Sequence, residues 1–312
     1  MLTDAHCHPA DCMRRVRSTL RQIPYQNNNR QVVDLAEHFP AAEEQRRQLG
    51  VMCAASATTA EEFAYCERLS RDAQNNAAAP LLPCFAIHPQ MPAMRQLAVS
   101  SEQLAVSSEE LAVSGEQVTV SGEELAVLEV LASQGRLAGV GETGFDLFNA
   151  TYRETERVQD DLFAVHLEIA LRYDLPLVIH VRRAMHKVFA HSAALKKCRA
   201  VIFHSWPGTV GEGEALLRRG INAFFSFGNT IMLNHRQAMR CCAVFPADRL
   251  LTETDAPFQP PRGREFSCYA DLARILEAAA ALRREAGTQG STAQELEMII
   301  ERNFRAAFIT KF

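Results

Sequence analysis

The sequence predicts an α/β protein that folds as a single (β/α)₈ TIM barrel carrying a low-complexity heptad insertion. Three observations lead to this fold class: eight short apolar runs recur along the 312 residues, helical patterns lie between them, and His or acidic residues follow several runs. Strands that alternate with helices form βαβ units with a parallel sheet. Eight such units close into a barrel, a fold that runs to about 250 residues as one domain. We therefore expect residues 1–312 to form one domain.

Each predicted strand is a short apolar run bounded by turn or breaker residues. Pro176 stands directly before one run and Gly220 directly before another, which are positions typical of residues that interrupt a helix. In chain order the predicted strands are Leu2–Ala5, Val51–Ala55, Leu81–Ile87, Leu137–Gly141, Leu177–Ile179, Ala200–Phe203, Ile221–Phe227 and Leu250–Thr252. After Thr151, apolar residues recur at the spacing of one helix face, at Val158, Leu162, Val165 and Ile169.

Two segments interrupt this alternation. The first, Arg21–Pro40, contains three consecutive asparagines and is predicted as a long loop after the first strand. The second is a seven-residue repeat that starts at Leu97 and reads LAVSSEQ, LAVSSEE, LAVSGEQ and VTVSGEE. A coiled coil is disfavoured, because Leu104 and Val106 would lie about 200° apart around a helix and form no continuous seam. We expect a low-complexity insertion over about 97–124, whose last copy, from about Glu123, merges into the helix before strand four.

Composition limits the possible partners. Hydrophobic residues make up 47% and charged residues 22% of the chain, as in ordinary globular proteins. The formal net charge of −4 excludes a tight non-specific nucleic-acid binder, although bound metal ions can supply the positive charge that phosphates need. Nine scattered cysteines without a Cys-x-x-Cys pair predict reduced thiols. With no signal-peptide pattern and no apolar run near ~18 residues, we expect a cytoplasmic protein without a membrane partner.

A group of His and acidic residues follows the predicted strands. His6 and His8 close the first strand on one face, because alternate residues of a strand point the same way. Such a pair suits a borderline metal ion, although an isolated His-x-His is more often a surface pair. Strands four, five, six and eight are followed by Glu142, His180, His204 and Asp255. Barrels build active sites where the carboxyl ends of their strands meet, so the sequence predicts that these six side chains converge in a metal site.

The order of these motifs resembles the TatD family of metal-dependent hydrolases, within the amidohydrolase-like barrels. The matching blocks are Asp4–His8, Ala86–Pro89, Gly141–Asp146, His180–Arg182, His204–Gly208, Ser226–Gly228 and Glu253–Pro257, followed by Asn303, Phe304 and Phe308. The resemblance covers the chain except the repeat and the Asn-rich segment. Two blocks differ from the family pattern: His-Ser-Trp-Pro-Gly replaces the usual His-Cys-Phe-Ser-Gly, and no Arg-Asn-x-Pro segment follows the Asp-x-Pro block. Both differences lie on the predicted substrate face.

The resemblance implies a two-metal hydrolase that cleaves phosphodiester bonds in DNA by attack of a metal-bound hydroxide. The implied ligands are His6, His8 and Asp255 for one divalent ion, His180 and His204 for the other, and Glu142 as the bridge. Glu142 and Asp255 are the implied catalytic residues, with Asp255 as proton acceptor. Zinc, manganese or magnesium fits this mixed ligand set, and the imidazoles favour zinc or manganese over calcium. Single-stranded DNA or frayed ends are the expected partners, because a barrel mouth cannot easily admit a duplex.

Further residues on the predicted mouth have two interpretations each. The family pattern makes His88 a contact for the substrate, and a supporting position behind the metal ligands is equally open. Arg182 either clamps a substrate phosphate or simply begins a helix. Trp206 either stacks on a base or fills the barrel mouth, and Glu253 is expected to support the metal ligands. The remaining histidines, expected on the surface or on helix faces, are His38, His166, His186, His191 and His235.

Two other functions stay open from the sequence. One is a metal-dependent carboxylic ester or amide hydrolase, since related barrels use the same metal centre on carbonyl carbons, and its substrate would be a small ester. The other is a non-catalytic binding protein descended from such an enzyme. The complete six-ligand set counts against the second, because a binding protein has no need to keep it. The natural substrate, the metal, the oligomeric state and the role of the repeat stay open.

Overall fold

Parallel strands in chain order form the centre of the fold. The computed structural model describes residues 1–12, 40–95 and 122–309. Within those residues, eight strands pair in parallel in the order in which they occur along the chain. They are β1 (Thr3–Cys7), β2 (Met52–Ala57), β3 (Leu81–Phe85), β4 (Gly139–Asp146), β5 (Leu177–Arg182), β6 (Val201–Phe203), β7 (Ala223–Phe227) and β8 (Leu250–Thr252). The predicted (β/α)₈ class is confirmed.

The last strand returns to the first, so that the sheet forms a nearly closed barrel. The hydroxyl of Thr252 donates a hydrogen bond of 3.0 Å to the carbonyl oxygen of Thr3. Beyond the end of β8, the N–H of Asp255 donates to the carbonyl oxygen of His6 at 3.0 Å. These bonds bring the carboxyl ends of β1 and β8 side by side, which places two predicted ligand segments next to each other.

Helices alternate with the strands. Their bounds are α1 (Pro40–Gln48), α2 (Ala60–Asn75), α3 (Gly122–Ser133), α4 (Ala150–Glu154), α5 (Glu156–Arg172), α6 (Met185–Ala190), α7 (Ser192–Leu195), α8 (Val210–Arg218), α9 (Arg236–Val244), α10 (Asp271–Glu285) and α11 (Ala293–Phe308). Local capping explains where α8 begins, because Thr209 and Glu212 form a reciprocal capping box at its start. In the described part of the chain, no helix combines the length and apolar character that crossing a bilayer requires.

The barrel interior is apolar below its mouth. Side chains from seven of the eight strands form one buried cluster, which α11 joins through Phe304 and Phe308. A larger apolar cluster includes Phe85 and Phe203 from the strands together with Phe163 of α5. Burial of these side chains supplies the main driving force for folding. The polar residues of the mouth are therefore carried on an apolar base.

Two strands extend further than their apolar runs predicted. The sequence indicated an end of strand four at Gly141, but β4 continues to Asp146, so that Glu142 lies inside the strand, where the register to β5 shifts between Val140 and Thr143. The strand β5 likewise continues past His180 to Arg182. Backbone pairing between the two strands continues through polar residues, which an apolar pattern cannot detect.

The two irregular segments fall largely outside the described residues. Residues 21–39 of the predicted loop and residues 97–121 of the repeat lie outside the described residues. Pro40 was predicted as the last residue of the loop, but it begins α1. The helix α3 begins at Gly122 and precedes β4. This confirms that the last copy of the repeat merges into the helix before strand four.

Candidate metal centre

The carboxylate of Glu142 lies among imidazole rings at the barrel mouth. Its Oε1 atom is 2.7 Å from Nδ1 of His180, 3.1 Å from Nε2 of His204 and 3.2 Å from Nε2 of His88. The side chain of Glu142 is only 3% exposed. A buried carboxylate needs such partners, because the solvent cannot stabilise its charge.

The second carboxylate oxygen of Glu142 faces a different set of rings. Oε2 is 3.0 Å from Nε2 of His6 and 3.5 Å from Nε2 of His8. Oδ1 of Asp255 is 3.4 Å from Nε2 of His8 and 3.7 Å from Nε2 of His6. The structure thus brings all six predicted ligands together and places His88 among them.

Alternation along the strands directs the predicted ligands towards the mouth. Val178 of β5 and Ile202 of β6 belong to the apolar cluster inside the barrel. His180 and His204 each follow two residues later, and residues two apart in a strand point to the same face. A buried apolar residue therefore sets the direction of the imidazole that follows it.

Side chains behind the cluster contact the far nitrogens of two rings. Oγ of Ser56 is 3.1 Å from Nδ1 of His6, and Oε1 of Glu253 is 3.2 Å from Nδ1 of His204. A partner on the far nitrogen fixes the orientation of a ligating imidazole. The position of Glu253 agrees with its expected supporting role. Ser56 was missed, because no local pattern marks a serine at the end of a strand.

Asp146 was also missed as an individual residue. Its Oδ2 atom is 3.1 Å from Nε2 of His180, accepts a hydrogen bond of 2.6 Å from Nε2 of Gln90, and lies 3.4 Å from Nη1 of Arg182. Its Oδ1 atom accepts a hydrogen bond of 2.9 Å from the N–H of Phe148. The sequence signal for Asp146 was its position at the end of the family block Gly141–Asp146.

Ionised carboxylates face imidazoles throughout the cluster. Burial opposes the ionisation of Glu142, but the positive charge of His88, His204 and their neighbours outweighs it and holds the pKa of Glu142 well below its usual value. Burial also opposes the ionisation of Asp255, whose pKa is nevertheless lowered by its hydrogen bond with His8. Burial disfavours the charged form of His8, yet hydrogen bonds with both carboxylates raise its pKa to about 10. The carboxylates thus carry negative charge that cations can balance.

The donor atoms fit divalent cations. Three groups of side chains each bring their donor atoms within 4.8 Å of one another: His6–His8–Glu142, His6–His204–Asp255 and His88–Glu142–His180. Mixed imidazole and carboxylate donors suit zinc and manganese. His88 lies as close to Glu142 as the predicted ligand His204 does, so its position suits a ligand as well as a substrate contact.

A cavity of about 980 Å³ opens onto this cluster. Arg182 lines it as predicted, with 40% of its side chain exposed. Trp206 is only 3% exposed and packs edge-on against Phe203 and Phe225, which favours the filling role over base stacking. His235 is exposed directly before α9, in agreement with its expected surface position, and it also lines the cavity.

His166 lies on a helix face, one of its two expected positions, but that face is buried. It is fully buried in α5, where Nε2 accepts a hydrogen bond from the N–H of Ile87 at 3.4 Å and Nδ1 lies next to the hydroxyl of Thr143. His186 is exposed as expected, and His191 is half-buried against Phe163. His38 lies outside the described residues.

Comparisons with known proteins agree on one family. A family model described as TatD related DNase matches residues 3–309. A protein of Erwinia tasmaniensis named 3'-5' ssDNA/RNA exonuclease TatD is 33% identical over 194 residues, which cover 59% of this chain and 70% of that protein. An Escherichia coli K12 protein named uncharacterized metal-dependent hydrolase YjjV is 32% identical over 153 residues, covering 48% and 58%. The crystal structure of Escherichia coli YjjV, a TatD homologue, matches the fold with a TM-score of 0.70 at 24% identity, covering 99% of this chain and 98% of that chain.

Proposed function

Because the chain belongs to the TatD related DNase family and is a metal-dependent hydrolase, we propose that it hydrolyses phosphodiester bonds in single-stranded DNA and at frayed ends. We further propose two divalent cations as cofactors, zinc or manganese before magnesium. The proposed ligands are His6, His8, Glu142, His180, His204 and Asp255. The name of the Erwinia relative supports a single-stranded nucleic acid as substrate.

The division of imidazoles between the two oxygens of Glu142 carries this proposal. Oε1 faces His88, His180 and His204, whereas Oε2 faces His6 and His8. Each set of imidazoles would hold one cation together with Glu142, and the charge of this carboxylate would offset the repulsion between the two cations. A site for a single cation would leave one of the two imidazole sets without a role.

The residues of the chain would divide the remaining work. Divalent cations held here supply charge neutralisation at the phosphate and a nucleophile at neutral pH. Asp255 accepts the proton of the attacking water at Oδ1, while Gln259 donates a hydrogen bond of 2.7 Å to Oδ2 and holds the carboxylate in place. Arg182 and His88 bind the non-bridging oxygens of the phosphate, with the guanidinium suited to two parallel hydrogen bonds.

Replacing the bridge tests the proposed centre. Glu142→Gln keeps the shape of the side chain but removes the charge that offsets two facing cations, so at least one metal ion should be lost. Hydrolysis of a single-stranded oligonucleotide should fall by a factor of at least ~100, while the circular dichroism spectrum stays that of the parent. Metal content is measured by mass spectrometry, and Glu277→Gln, on an exposed position of α10, is the matched control. Parent-like activity and metal content in Glu142→Gln would contradict the bridging role.

The substrate class is decided by a parallel assay of the parent. We expect the metal-loaded protein to cleave single-stranded oligonucleotides faster than blunt duplexes, and both faster than a simple aryl ester. Ester turnover without cleavage of nucleic acid would assign the protein to the carbonyl hydrolases instead.

All nine cysteines lie in the described part of the chain and are free thiols, which supports our proposal of a cytoplasmic location.

A further inference from the structure

An exposed aromatic ring lies next to two arginines beside the cavity. Phe148 follows β4 by two residues and is 42% exposed. The guanidinium carbon of Arg182 is 4.0 Å from the centre of its ring, and that of Arg183 is 4.6 Å away. Nη1 of Arg183 also donates a hydrogen bond of 3.1 Å to the carbonyl oxygen of Phe148. We refer to Phe148, Arg182 and Arg183 as the Phe148 platform.

The Phe148 platform is continuous with the candidate metal centre. Arg182 lines the cavity, and its Nη1 atom is 3.4 Å from Oδ2 of Asp146. The same oxygen is 3.1 Å from Nε2 of His180, whose Nδ1 atom is 2.7 Å from Glu142. A substrate held at the centre therefore has this platform beside it.

The surroundings of Phe148 differ from those of the aromatic side chains in the cavity wall. Trp206 is buried against phenylalanine rings, and the ring of Phe258 packs edge-on against His8 with centroids 5.2 Å apart. Arg183 adopts a φ of 54°, a backbone conformation that is uncommon for residues with a side chain of this size. Such conformations are concentrated at functional sites.

We propose that the Phe148 platform binds the base of a nucleotide next to the scissile phosphate. The base replaces the guanidinium group of Arg183 on the face of the ring, and the displaced group contacts the next phosphate, while Arg182 stays on the scissile phosphate. This inference rests on the proposed nuclease function. A base reaches a protein ring only after it has left its neighbours in a duplex, so the platform selects single strands. Every base has a π face, so the platform reads little sequence.

Removal of the ring tests the stacking. The probe is a short single-stranded oligonucleotide with hydrolysis-resistant linkages and 2-aminopurine, whose fluorescence is quenched on stacking, placed in turn at each of its last positions. Parent protein should quench one position most strongly. Phe148→Leu should abolish that quenching and weaken binding about tenfold. Phe148→Tyr should restore both, and Met298→Leu, on the exposed face of α11, should behave as the parent.

An abasic nucleotide separates stacking from a merely structural role of the ring. At the quenched position it should weaken binding by the parent about tenfold and leave binding by Phe148→Leu unchanged, because the lost contact is the same one. Arg183→Gln should reduce the slope of log Kd against log salt by about 0.7, the effect of one phosphate contact on a single strand.

The outcomes distinguish the two proposals. If the parent cleaves single strands but Phe148→Leu binds and quenches as the parent does, the platform assignment is wrong and the nuclease function stands. If the abasic nucleotide weakens both proteins equally, the base is bound elsewhere and the platform assignment is again wrong. If the parent turns over an ester and neither cleaves nor binds the oligonucleotide, the nuclease function fails and the platform with it.

Discussion

Individual residues behind the clustered imidazole rings set the geometry of the mouth. Asp146 contacts the far nitrogen of His180 and also Arg182 and Gln90, so one buried carboxylate holds a proposed ligand and a proposed phosphate contact together. Asp146→Asn keeps the shape but removes the charge. Because partners of this kind typically contribute 10–100-fold to metal affinity, we expect metal binding to weaken by about that factor.

Competition with a chromogenic chelator measures this affinity. Asp160→Asn is the control, because Asp160 pairs with Lys187 at 2.8 Å away from the cluster and is half-exposed. Metal affinity equal to the parent's in a folded Asp146→Asn protein would show that His180 is oriented by its strand alone.

At the scale of elements, His166 connects α5 to the strand that carries Glu142. Burial lowers the pKa of His166 to about 3, far below its value in an unfolded chain, about 6.5. The native state keeps this ring neutral while the unfolded chain binds a proton below pH ~6.5, so stability falls as the pH decreases from about 6.5 towards 3. Each pH unit of acidification within this window lowers the free energy of unfolding by up to ~1.4 kcal/mol through His166 alone.

Chemical unfolding between pH 6.5 and 4 measures this contribution. His166→Gln keeps an acceptor for the N–H of Ile87 and does not titrate, so its free energy of unfolding should depend less steeply on pH than the parent's. His186→Gln on the exposed side of α6 is the matched control. Parallel pH dependences for the parent and His166→Gln would show that His166 is not held neutral in the native state.

For the whole molecule, the cations should add stability without determining the fold. A ligand that binds only the native state adds about 4 kcal/mol at a free concentration a thousandfold above its Kd. In a chain of this size, removal by a chelator should lower Tm by about 5–10 °C. The apolar cluster inside the barrel, with Val178, Ile202 and Phe304, contains none of the proposed ligands, so the circular dichroism spectrum at 25 °C should not change.

Scanning calorimetry with and without chelator measures the shift in Tm. Unfolding of the metal-free protein at 25 °C would contradict a fold that is stabilised mainly by its apolar core. An unchanged Tm would contradict bound cations.

Much of the fold and of the candidate site was determined by the sequence itself. Apolar runs separated by helical patterns gave the eight strands, because each run has to be buried on both sides of a parallel sheet. Once parallel strands close into a barrel, their carboxyl ends meet. The spacing of His180 and His204 behind buried apolar residues therefore sufficed to predict that these side chains converge with His6 and Glu142.

Only the tertiary structure decided which residues support the converging side chains. The contact of Ser56 with His6, the position of His88 beside Glu142 and the arrangement of both arginines around Phe148 join residues that are far apart or follow no periodic pattern. The burial of His166 and the continuation of β4 through polar residues are of the same kind. Periodicity reports which side of its own element a side chain faces, whereas these contacts depend on which neighbouring element packing brings against that side.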